Sequence, residues 1–267
     1  MKGGQVVLSK RLQMLADMVS KGNRLVDVGC DHGFLSIYLV QQKTCPGALA
    51  MDVRKGPLAA AQTHVQEYGL QDYIVPRLSD GLKAFECGEA ESLVCAGMGG
   101  PLMEKILRDS FEKAKSLKEL ILQPQSEIKE FRQFLRESGF VITDENAVID
   151  EGKYYFAMKA VWQGQREKCE SCEKSEREAG YRETTVPANV QGADMERDGT
   201  QQLYDMYGEM LLKGRHPVLH EYLVQRQEHL SRLRGQLAEA DSSKANLRLP
   251  EILEELAGIA DALAYFR

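Results

Sequence analysis

The sequence predicts an α/β protein with a Rossmann-like, mostly parallel seven-stranded sheet and a C-terminal helical coiled-coil hairpin. Short apolar runs alternate with amphipathic segments five times before residue 139, as in the repeated βα units of a parallel sheet. Two further strands follow with only a short connection at 151–152, and a short connection requires antiparallel pairing. Leucines spaced by three and four residues over 219–263 predict two paired helices.

The elements of the sheet region follow from apolar spacing and from helix and turn signals. Apolar runs predict strands over residues 25–28, 48–51, 73–78, 92–96, 120–122, 140–149 and 154–162. Helical spacing predicts helices over residues 8–19, 34–39, 56–68, 102–107 and 127–138. Pro76 favours an edge or bulged third strand, because proline cannot donate to the ladder. Ser126 is predicted to cap the fifth helix.

Three segments are predicted along the chain. Residues 1–162 form the α/β domain, and residues 163–200 form a charged, mobile linker because they lack periodic apolar residues. Residues 201–267 form the helical hairpin, with Asp241-Ser242-Ser243 between its two helices and Pro250 near one of its ends. A leucine stripe by itself indicates packing and no particular function.

The composition is that of a globular protein. Of the 267 residues 43% are hydrophobic and 28% are charged, and the formal net charge is −6. No apolar run has the length of a membrane span and no signal-peptide core is evident, so we expect a cytoplasmic protein that does not contact membranes. The acidic balance means that an RNA ligand would need a local basic patch.

The cysteines do not indicate a metal site. Four of the six are scattered through the predicted sheet region, at Cys30, Cys45, Cys87 and Cys95. Reduced thiols in such positions pack as small apolar side chains. Cys169 and Cys172 form a single C-x-x-C pair in a charged stretch, which is a weak zinc or redox signal, so we predict no metal.

The turn after the first predicted strand indicates a cofactor site. It reads Asp27-Val-Gly29-Cys-Asp31-His32-Gly33, and a buried strand, a glycine turn and a helix N-terminus together form nucleotide sites. Asp31 stands where the middle glycine of the dinucleotide fingerprint would admit a pyrophosphate. A carboxylate repels a diphosphate but attracts an ammonium or sulfonium group. S-adenosylmethionine is therefore favoured over NAD, and an NAD oxidoreductase is disfavoured; a tight turn without a ligand is the alternative.

Acidic residues also end the next two predicted strands, and the carboxyl ends of parallel strands meet at one edge. Asp52 is expected to accept the ribose hydroxyls, and Asp80 the adenine amino group, with Gly81 leaving room for the ring. Asp27 and Asp31 are expected to hold the methionine ammonium. Each carboxylate alone could cap a helix, but three at successive strand ends favour a ligand. The predicted cofactor-binding residues are Asp27, Gly29, Asp31, His32, Asp52, Val53, Asp80, Gly81, Ala96, Gly97 and Met98.

A glycine-rich loop, Ala96-Gly97-Met98-Gly99-Gly100, follows the fourth predicted strand. Many methyltransferases that act on base amines have an Asn/Asp-Pro-Pro-aromatic turn there. One reading is a tight turn into a helix. The other is that the missing side chains let a flat base approach the methyl group, which makes Gly99 and Gly100 substrate contacts. Both readings remain open.

These motifs together resemble those of the bacterial tRNA (adenine-N1)-methyltransferases that modify position 22, the TrmK family. The resemblance rests on Asp27-x-Gly29-x-Asp31-His32, Gly97-Met98-Gly99-Gly100, Leu122-Gln123-Pro124 and the upstream Leu8-Ser9-Lys10-Arg11-Leu12. It covers the whole chain except the linker. It implies a class I methyltransferase domain, S-adenosylmethionine as methyl donor and a C-terminal coiled coil that helps to hold tRNA. The chain departs from the family at Ser36, where Pro is frequent, at Gln125, where Asn is frequent, and in a longer linker.

The function that the resemblance implies is methyl transfer to N1 of adenosine 22 of tRNA. Asp31 and His32 are the catalytic candidates, to orient the base or to take up a proton, although a histidine at a helix start is more often structural. The substrate-binding candidates are Gly99, Gly100, Lys10, Arg11, Arg232 and Arg234. The four basic residues would contact phosphates, and ordinary solvated helix faces are the alternative.

Two other functions remain open from the sequence. One is a methyltransferase of the same fold that acts on a small molecule or a protein, with the hairpin as a dimer contact. The other is a non-catalytic RNA-binding or scaffold protein that keeps the fold.

Overall fold

The computed structural model describes residues 4–166, 191–239 and 243–267. They fall into two compact units, one on either side of the gap at 167–190. The second unit begins with a helix at Gln191, so part of the stretch predicted to be a linker is helical. Cys169 and Cys172 lie outside the described residues.

The first unit is built from seven strands with helices between them. The strands are β1 (Leu25–Val28), β2 (Ala48–Asp52), β3 (Ile74–Leu78), β4 (Ser92–Met98), β5 (Glu119–Pro124), β6 (Phe140–Asp150) and β7 (Lys153–Trp162). The helices are α1 (Lys10–Met18), α2 (Phe34–Gln41), α3 (Lys55–Glu67), α4 (Gly100–Asp109), α5 (Phe111–Ser116), α6 (Ile128–Glu137) and α7 (Gln163–Arg166).

The sheet has the predicted topology, with the order β3-β2-β1-β4-β5-β7-β6. Parallel pairing joins β3, β2, β1, β4 and β5, whereas β7 runs antiparallel to both β5 and β6. Pro76 lies on the edge strand β3, as predicted. Strand order reverses between β1 and β4, and in open parallel sheets a ligand crevice lies beyond the carboxyl ends of the strands at such a point.

Both faces of the sheet are covered, which explains the continuous apolar runs of the central strands. Every residue of β1, β2 and β5 is buried. Val26 and Leu93 belong to one apolar cluster and Leu25 and Val94 to the other, so successive residues of a strand serve opposite faces. The parallel sheet thereby becomes a rigid base for the loops at its carboxyl edge.

The predicted cap of the fifth helix, Ser126, is wrong. Helix α6 begins at Ile128, after Glu127 in a left-handed conformation (φ 48°), and no side chain caps it. The reason is tertiary, because the Ser126 carbonyl accepts a hydrogen bond from the Gly100 backbone N–H at 3.1 Å. The chain is held against the turn before α4, and the helix starts one residue later than its sequence suggests.

The second unit is helical, as predicted, and contains an antiparallel hairpin. Its described helices are α8 (Gln191–Tyr207), α9 (Glu209–Lys213), α10 (Pro217–Glu239) and α11 (Ser243–Ala264). Arg226 of α10 bonds to Glu255 of α11 at 2.6 Å, and His220 stacks on Phe266 at 4.9 Å. The start of α10 therefore lies beside the end of α11. Pro250 lies inside α11, contrary to its predicted place near an end.

Two negative findings bear on function. No helix among the described residues is long and apolar enough to cross a membrane. Within residues 4–166, 191–239 and 243–267, no three or more His, Cys, Asp and Glu side chains are grouped so that they could hold a metal ion.

A buried ion pair joins α6 to β6 and provides a test of the packing around the sheet. Arg132 Nε lies 2.8 Å from Glu145 Oε1, and the two side chains are 3% and 1% exposed. We expect Arg132→Met to lower the free energy of unfolding by about 3–5 kcal/mol, because it leaves a buried carboxylate without its cation. Urea unfolding followed by circular dichroism measures this change.

Two further variants serve as controls. The double variant Arg132→Met, Glu145→Leu should lose less stability than the single one, since no charge is left buried. Lys105→Met, which breaks the exposed pair with Asp109, should change stability by less than about 1 kcal/mol. Equal losses in the single and double variants would contradict this account of the pair.

Candidate active site

A cleft of about 570 Å³ lies at the carboxyl edge of the sheet, over the point where strand order reverses. It is formed by the ends of β1, β2, β3 and β4 and by the first turns of α4. Its lining residues are Arg11, Val28, Gly29, Asp31, Asp52, Val53, Arg54, Ser79, Asp80, Gly81, Ala96, Gly97, Met98, Leu102, Ile106 and Gln125.

A smaller pocket of about 90 Å³ adjoins the cleft around the β1–α2 turn. Its lining residues are Arg11, Leu12, Asp27, Gly29, Cys30, Asp31, His32, Phe34, Leu35, Val94 and Ala96. All eleven residues predicted to bind a cofactor line one cavity or the other. The structure therefore brings the predicted set together at one edge of the sheet.

The β1–α2 turn is held in one conformation by hydrogen bonds from its backbone to strand β2. The N–H groups of Gly29 and Cys30 both donate to the Met51 carbonyl, at 2.8 and 2.9 Å. Gly29 has φ +76°, and a Cβ there would collide with the end of the Met98 side chain. Asp31 also has a positive φ of 48°, and aspartate is among the non-glycine residues that adopt this conformation most readily. The turn thus projects the Asp31 side chain at the mouth of both cavities.

Asp27 is a buried carboxyl group at the end of the small pocket. It is 5% exposed, and its pKa is raised from 3.8 to about 6. Burial is the main cause, a hydrogen bond from Ser36 partly offsets it, and the negative charge of Asp52 adds to the rise. Ser36 Oγ donates that hydrogen bond to Asp27 Oδ2 at 2.8 Å. The hydroxyl group at position 36, where the family often has proline, thus stabilises the ionised form of Asp27.

Asp52, at the end of β2, is 4% exposed and has one oxygen engaged by Arg54. The Arg54 backbone N–H donates to Asp52 Oδ1 at 2.8 Å, and Arg54 Nε lies 3.6 Å from the same oxygen. Among the described residues, none forms a hydrogen bond or ion pair with Asp52 Oδ2. That second oxygen can accept the hydroxyl groups of a ribose.

The end of β3 contributes Asp80 and Ser79. Asp80 is exposed and paired with Lys83, whose hydrogen bond lowers the pKa of the Asp80 carboxyl. Ser79 is buried and donates from Oγ to the Gly81 carbonyl at 2.7 Å, which shapes the loop beside Asp80. Ser79 was not predicted, although it directly precedes a predicted site residue.

An apolar wall on α4 was also missed. Leu102 and Ile106 line the cleft, and a Cβ on Gly81 would lie 2.9 Å from Ile106 Cγ2. Their spacing of four residues places them on one face of a helix and was visible in the sequence, but apolar residues at that spacing ordinarily belong to a core. The wall and the small residue opposite it leave a slot suited to a flat ring.

Gly99 and Gly100 line neither cavity, so the expectation that they contact substrate is not supported by their position. A Cβ on Gly100 would lie 2.6 Å from the Ser126 carbonyl oxygen and 3.0 Å from that of Glu127. These are backbone atoms, which cannot swing aside. The two glycines are explained by the close packing of the β4–α4 turn on the β5–α6 connection.

His32 belongs to a group of three rings, of which His32 and Phe34 line the small pocket. His32 Nε2 lies 3.7 Å from Asp31 Oδ2, and half of the His32 side chain is exposed. Its ring stacks on Phe34 at a centroid distance of 6.0 Å, and Phe34 stacks on His64 at 4.6 Å. The contribution of His64 was missed because it comes from α3, 32 residues away from His32.

The four basic residues expected to contact RNA are in different situations. Lys10 is exposed, whereas Arg11 is half-buried and lines both cavities. Arg232 and Arg234 are exposed on α10 in the second unit. Exposure is compatible with phosphate contact for Lys10, Arg232 and Arg234, whereas the Arg11 side chain is directed into the cleft.

The residues present fit S-adenosylmethionine by their chemistry. The cleft offers a carboxylate for ribose hydroxyls at Asp52 and an apolar slot with a carboxylate at its edge, Asp80, for an adenine. Asp27 and Asp31 face the adjoining pocket, where an ammonium and a sulfonium group would be attracted. Burial of Asp27 disfavours its ionised form, and packing alone does not explain why a carboxyl group stands at such a position.

The raised pKa of Asp27 gives a prediction about stability. Between about pH 4 and pH 6 the folded protein keeps the Asp27 proton while the unfolded chain has lost it. The folded state therefore binds more protons, and the stabilisation present below pH 4 is lost as the pH rises through 6. The shift corresponds to an energy on the order of 3 kcal/mol.

We expect Asp27→Asn to raise the free energy of unfolding at pH 7.5 by about 1–3 kcal/mol and to change it little at pH 4. Asp80→Asn is the control, because the pKa of Asp80 is lowered, so its removal should not stabilise the protein at pH 7.5. Thermal unfolding at the two pH values measures both. Destabilisation of Asp27→Asn at pH 7.5 would show that burial of this charge is not the dominant effect.

Comparison with known proteins agrees with this site. The family model described as a methyltransferase domain matches residues 8–158. The tRNA (adenine(22)-N(1))-methyltransferase of Bacillus subtilis is 28% identical over 253 residues, which cover 94% of this chain and 95% of the relative. The solved structure of the B. subtilis m1A22 tRNA methyltransferase TrmK superposes with a TM-score of 0.73 at 26% identity, covering 97% of this chain and all of that one.

A second solved structure bears on the cofactor. Streptococcus pneumoniae Sp1610, in complex with S-adenosyl-L-methionine, superposes with a TM-score of 0.73 at 27% identity and covers 96% of this chain and 100% of its own. The matched domain contains every residue that lines the cleft and the pocket described above. The chain therefore belongs to the methyltransferase domain family, and over nearly its whole length it is similar to the TrmK tRNA (adenine(22)-N1)-methyltransferases that its motifs resemble.

Proposed function

We propose that this protein transfers a methyl group from S-adenosylmethionine to N1 of adenosine 22 in tRNA. The observation that carries the proposal is the clustering of Asp27, Asp31, Asp52 and Asp80 around one cleft and its adjoining pocket. The likeness to the B. subtilis enzyme over nearly the full length of both chains supports the substrate. A cytoplasmic location, where tRNA is modified, follows from the same proposal.

The chemistry asks little of the protein in the way of proton transfer. S-adenosylmethionine, when bound, supplies a methyl group on a positively charged sulfur. N1 of adenine has a free lone pair at neutral pH, so no side chain has to remove a proton before attack. The protein's contribution is to align the base with the methyl group and to stabilise the positive charge that passes to the adenine ring. Asp31 is the residue proposed to stabilise that charge, and its lining of both cavities with a side chain that is 61% exposed supports the proposal.

The target adenosine has to leave its base pair or stack, because N1 lies on the Watson–Crick edge. The rings of His32 and Phe34 line the pocket together with Asp31 and offer aromatic surface to a base, and His64 packs on Phe34. Stacking on such rings contributes about 1–3 kcal/mol per base. His32 is therefore proposed to orient the base rather than to act as the base that accepts a proton.

The experiment that tests this function is incubation with labelled S-adenosylmethionine and unmodified tRNA, followed by digestion and nucleoside analysis. The expected product is 1-methyladenosine, and it should disappear when adenosine 22 is replaced by guanosine. Label in the protein, in a small molecule or in another nucleoside would favour the other methyltransferase activities. Absence of S-adenosylmethionine binding in calorimetry would favour a non-catalytic RNA-binding protein.

The tRNA contacts are proposed to include Arg232 and Arg234 on α10. Their side chains are exposed, and lysine or arginine contacts with phosphates release counterions, which makes affinity depend on salt. We expect Arg232→Glu with Arg234→Glu to weaken tRNA binding at least about tenfold at low salt and to flatten the salt dependence. A filter-binding titration at several salt concentrations measures both quantities.

The control for this variant is Lys118→Glu with Lys129→Glu, which makes the same change in net charge at exposed positions of the first unit. That control should retain the salt dependence of the unmodified protein. If both double variants lose affinity to the same extent, net charge rather than this patch governs binding, and Arg232 and Arg234 are not specific contacts.

A further inference from the structure

Arg11 lies in a different place from the one its sequence position suggested. It was expected beside Lys10 at the mouth of the site, as a phosphate contact. Its guanidinium instead enters the cleft, where Nη1 donates to Gln123 Oε1 at 3.0 Å and Cζ lies 5.5 Å from the centre of the Tyr155 ring. A Cβ built on Gly97 would lie 3.0 Å from Nη1, so the charged group closely approaches the turn after β4.

Neutral groups hold this guanidinium in place. Gln123 is 1% exposed, and its Nε2 donates to the Pro124 carbonyl at 3.1 Å, which directs its oxygen towards Arg11. Tyr155 supplies the face of an aromatic ring. The Arg11 backbone N–H donates to Asp150 Oδ2 at 3.0 Å, and this bond is the main cause of the lowered pKa of Asp150. The side chain is thus oriented before any ligand arrives.

The positive charge of Arg11 also helps to lower the pKa of Asp150, but among the described residues that carboxylate accepts from the Arg11 backbone N–H and does not bond to the guanidinium. Arg54, the other arginine that lines the cleft, lies 3.6 Å from Asp52 and 4.0 Å from Asp31. No carboxylate of residues 4–166, 191–239 or 243–267 forms an ion pair with the guanidinium of Arg11. The Arg11 guanidinium has five N–H groups, and Gln123 accepts a hydrogen bond from one of them. A half-buried cation with unused donors is an anion site, and guanidinium groups bind carboxylates with two parallel hydrogen bonds.

S-adenosylmethionine carries the matching anion. Its amino-acid end has an ammonium group, which Asp27 and Asp31 would attract, and an α-carboxylate, which the same aspartates would repel. Arg11 lines both cavities, as Asp31 does, and so lies where the amino-acid end and the nucleoside end would meet. We propose that Arg11 binds the α-carboxylate of the methyl donor and that Gln123 and Tyr155 are positioning residues for it. This inference rests on S-adenosylmethionine as cofactor and is independent of tRNA as substrate.

Isothermal titration calorimetry with two ligands tests the proposal without any turnover. S-adenosylhomocysteine contains the amino-acid end, whereas 5′-methylthioadenosine has the same adenosine and sulfur but no carboxylate. We expect Arg11→Gln to lower the affinity for S-adenosylhomocysteine at least about tenfold, because a charge-assisted bidentate contact is lost. The affinity for 5′-methylthioadenosine should change less than about twofold. The affinity of Arg11→Lys for S-adenosylhomocysteine should lie between those of the unmodified protein and Arg11→Gln, since lysine keeps the charge but lacks the planar fork.

Lys118→Gln is the control, because it removes an exposed charge of the same unit that lines neither cavity, and it should alter neither affinity. Equal losses for both ligands in Arg11→Gln would show that Arg11 shapes the cleft and would overturn the proposal. Unchanged affinity for S-adenosylhomocysteine with a fall in tRNA affinity would overturn it in favour of a phosphate contact. Arg11→Gln could weaken S-adenosylhomocysteine selectively in a protein that does not methylate tRNA. That result would support the role of Arg11 in binding the α-carboxylate and would contradict the proposed tRNA substrate.

Discussion

The binding site depends on two carboxylates that are buried at the carboxyl edge of a parallel sheet. Asp27 and Asp52 are 5% and 4% exposed and act on each other, since the charge of Asp52 contributes to raising the pKa of Asp27. Placing like charges together in a region of low dielectric constant destabilises the folded protein. A cationic ligand relieves this repulsion when it binds, so the same arrangement that weakens the fold creates affinity for a sulfonium and an ammonium group.

The remaining features of the site keep these charges in position. Paired hydrogen bonds to the Met51 carbonyl fix the β1–α2 turn, and the hydrogen bond from Ser36 fixes the orientation of the Asp27 carboxyl group. The packing of Gly100 on the Ser126 carbonyl brings the β4–α4 and β5–α6 connections together beside the cleft. Because these contacts involve backbone or buried atoms, the site is largely formed before a ligand binds, which reduces the ordering needed on association.

Much of this site could be predicted because its residues follow strands in the sequence. Asp52 ends β2 and Asp80 follows β3, and the carboxyl ends of parallel strands always meet at one edge of the sheet. Their location could therefore be predicted without knowledge of side-chain packing. The direction of the Arg11 side chain could not be predicted in this way. It is set by Gln123 on β5 and Tyr155 on β7, which are distant in sequence and become neighbours of α1 only through the completed sheet.

The same distinction explains the errors. Ser126 has the residue type of a helix cap, but the hydrogen bond to Gly100 outweighed that local preference. Gly99 and Gly100 had two readings because a missing side chain leaves room equally for a base or for another loop. The packing of Gly100 on the Ser126 carbonyl supports the tight turn, and the substrate contact stays a prediction. The apolar pair Leu102 and Ile106 matched a core pattern and lines the cleft, since an adenine slot and a core require the same side chains.

The most direct test of the account is a crystal structure of the protein with S-adenosylhomocysteine. The account predicts ribose hydroxyls on Asp52 and the amino group facing Asp27 and Asp31. A third cavity, of about 510 Å³, lies at the opposite, amino-terminal edge of the sheet and is lined by residues that include Lys21, Cys45 and Tyr73. Binding of the nucleoside there, or in the cleft with its amino group away from the aspartates, would contradict the claim that these carboxylates hold the methyl donor.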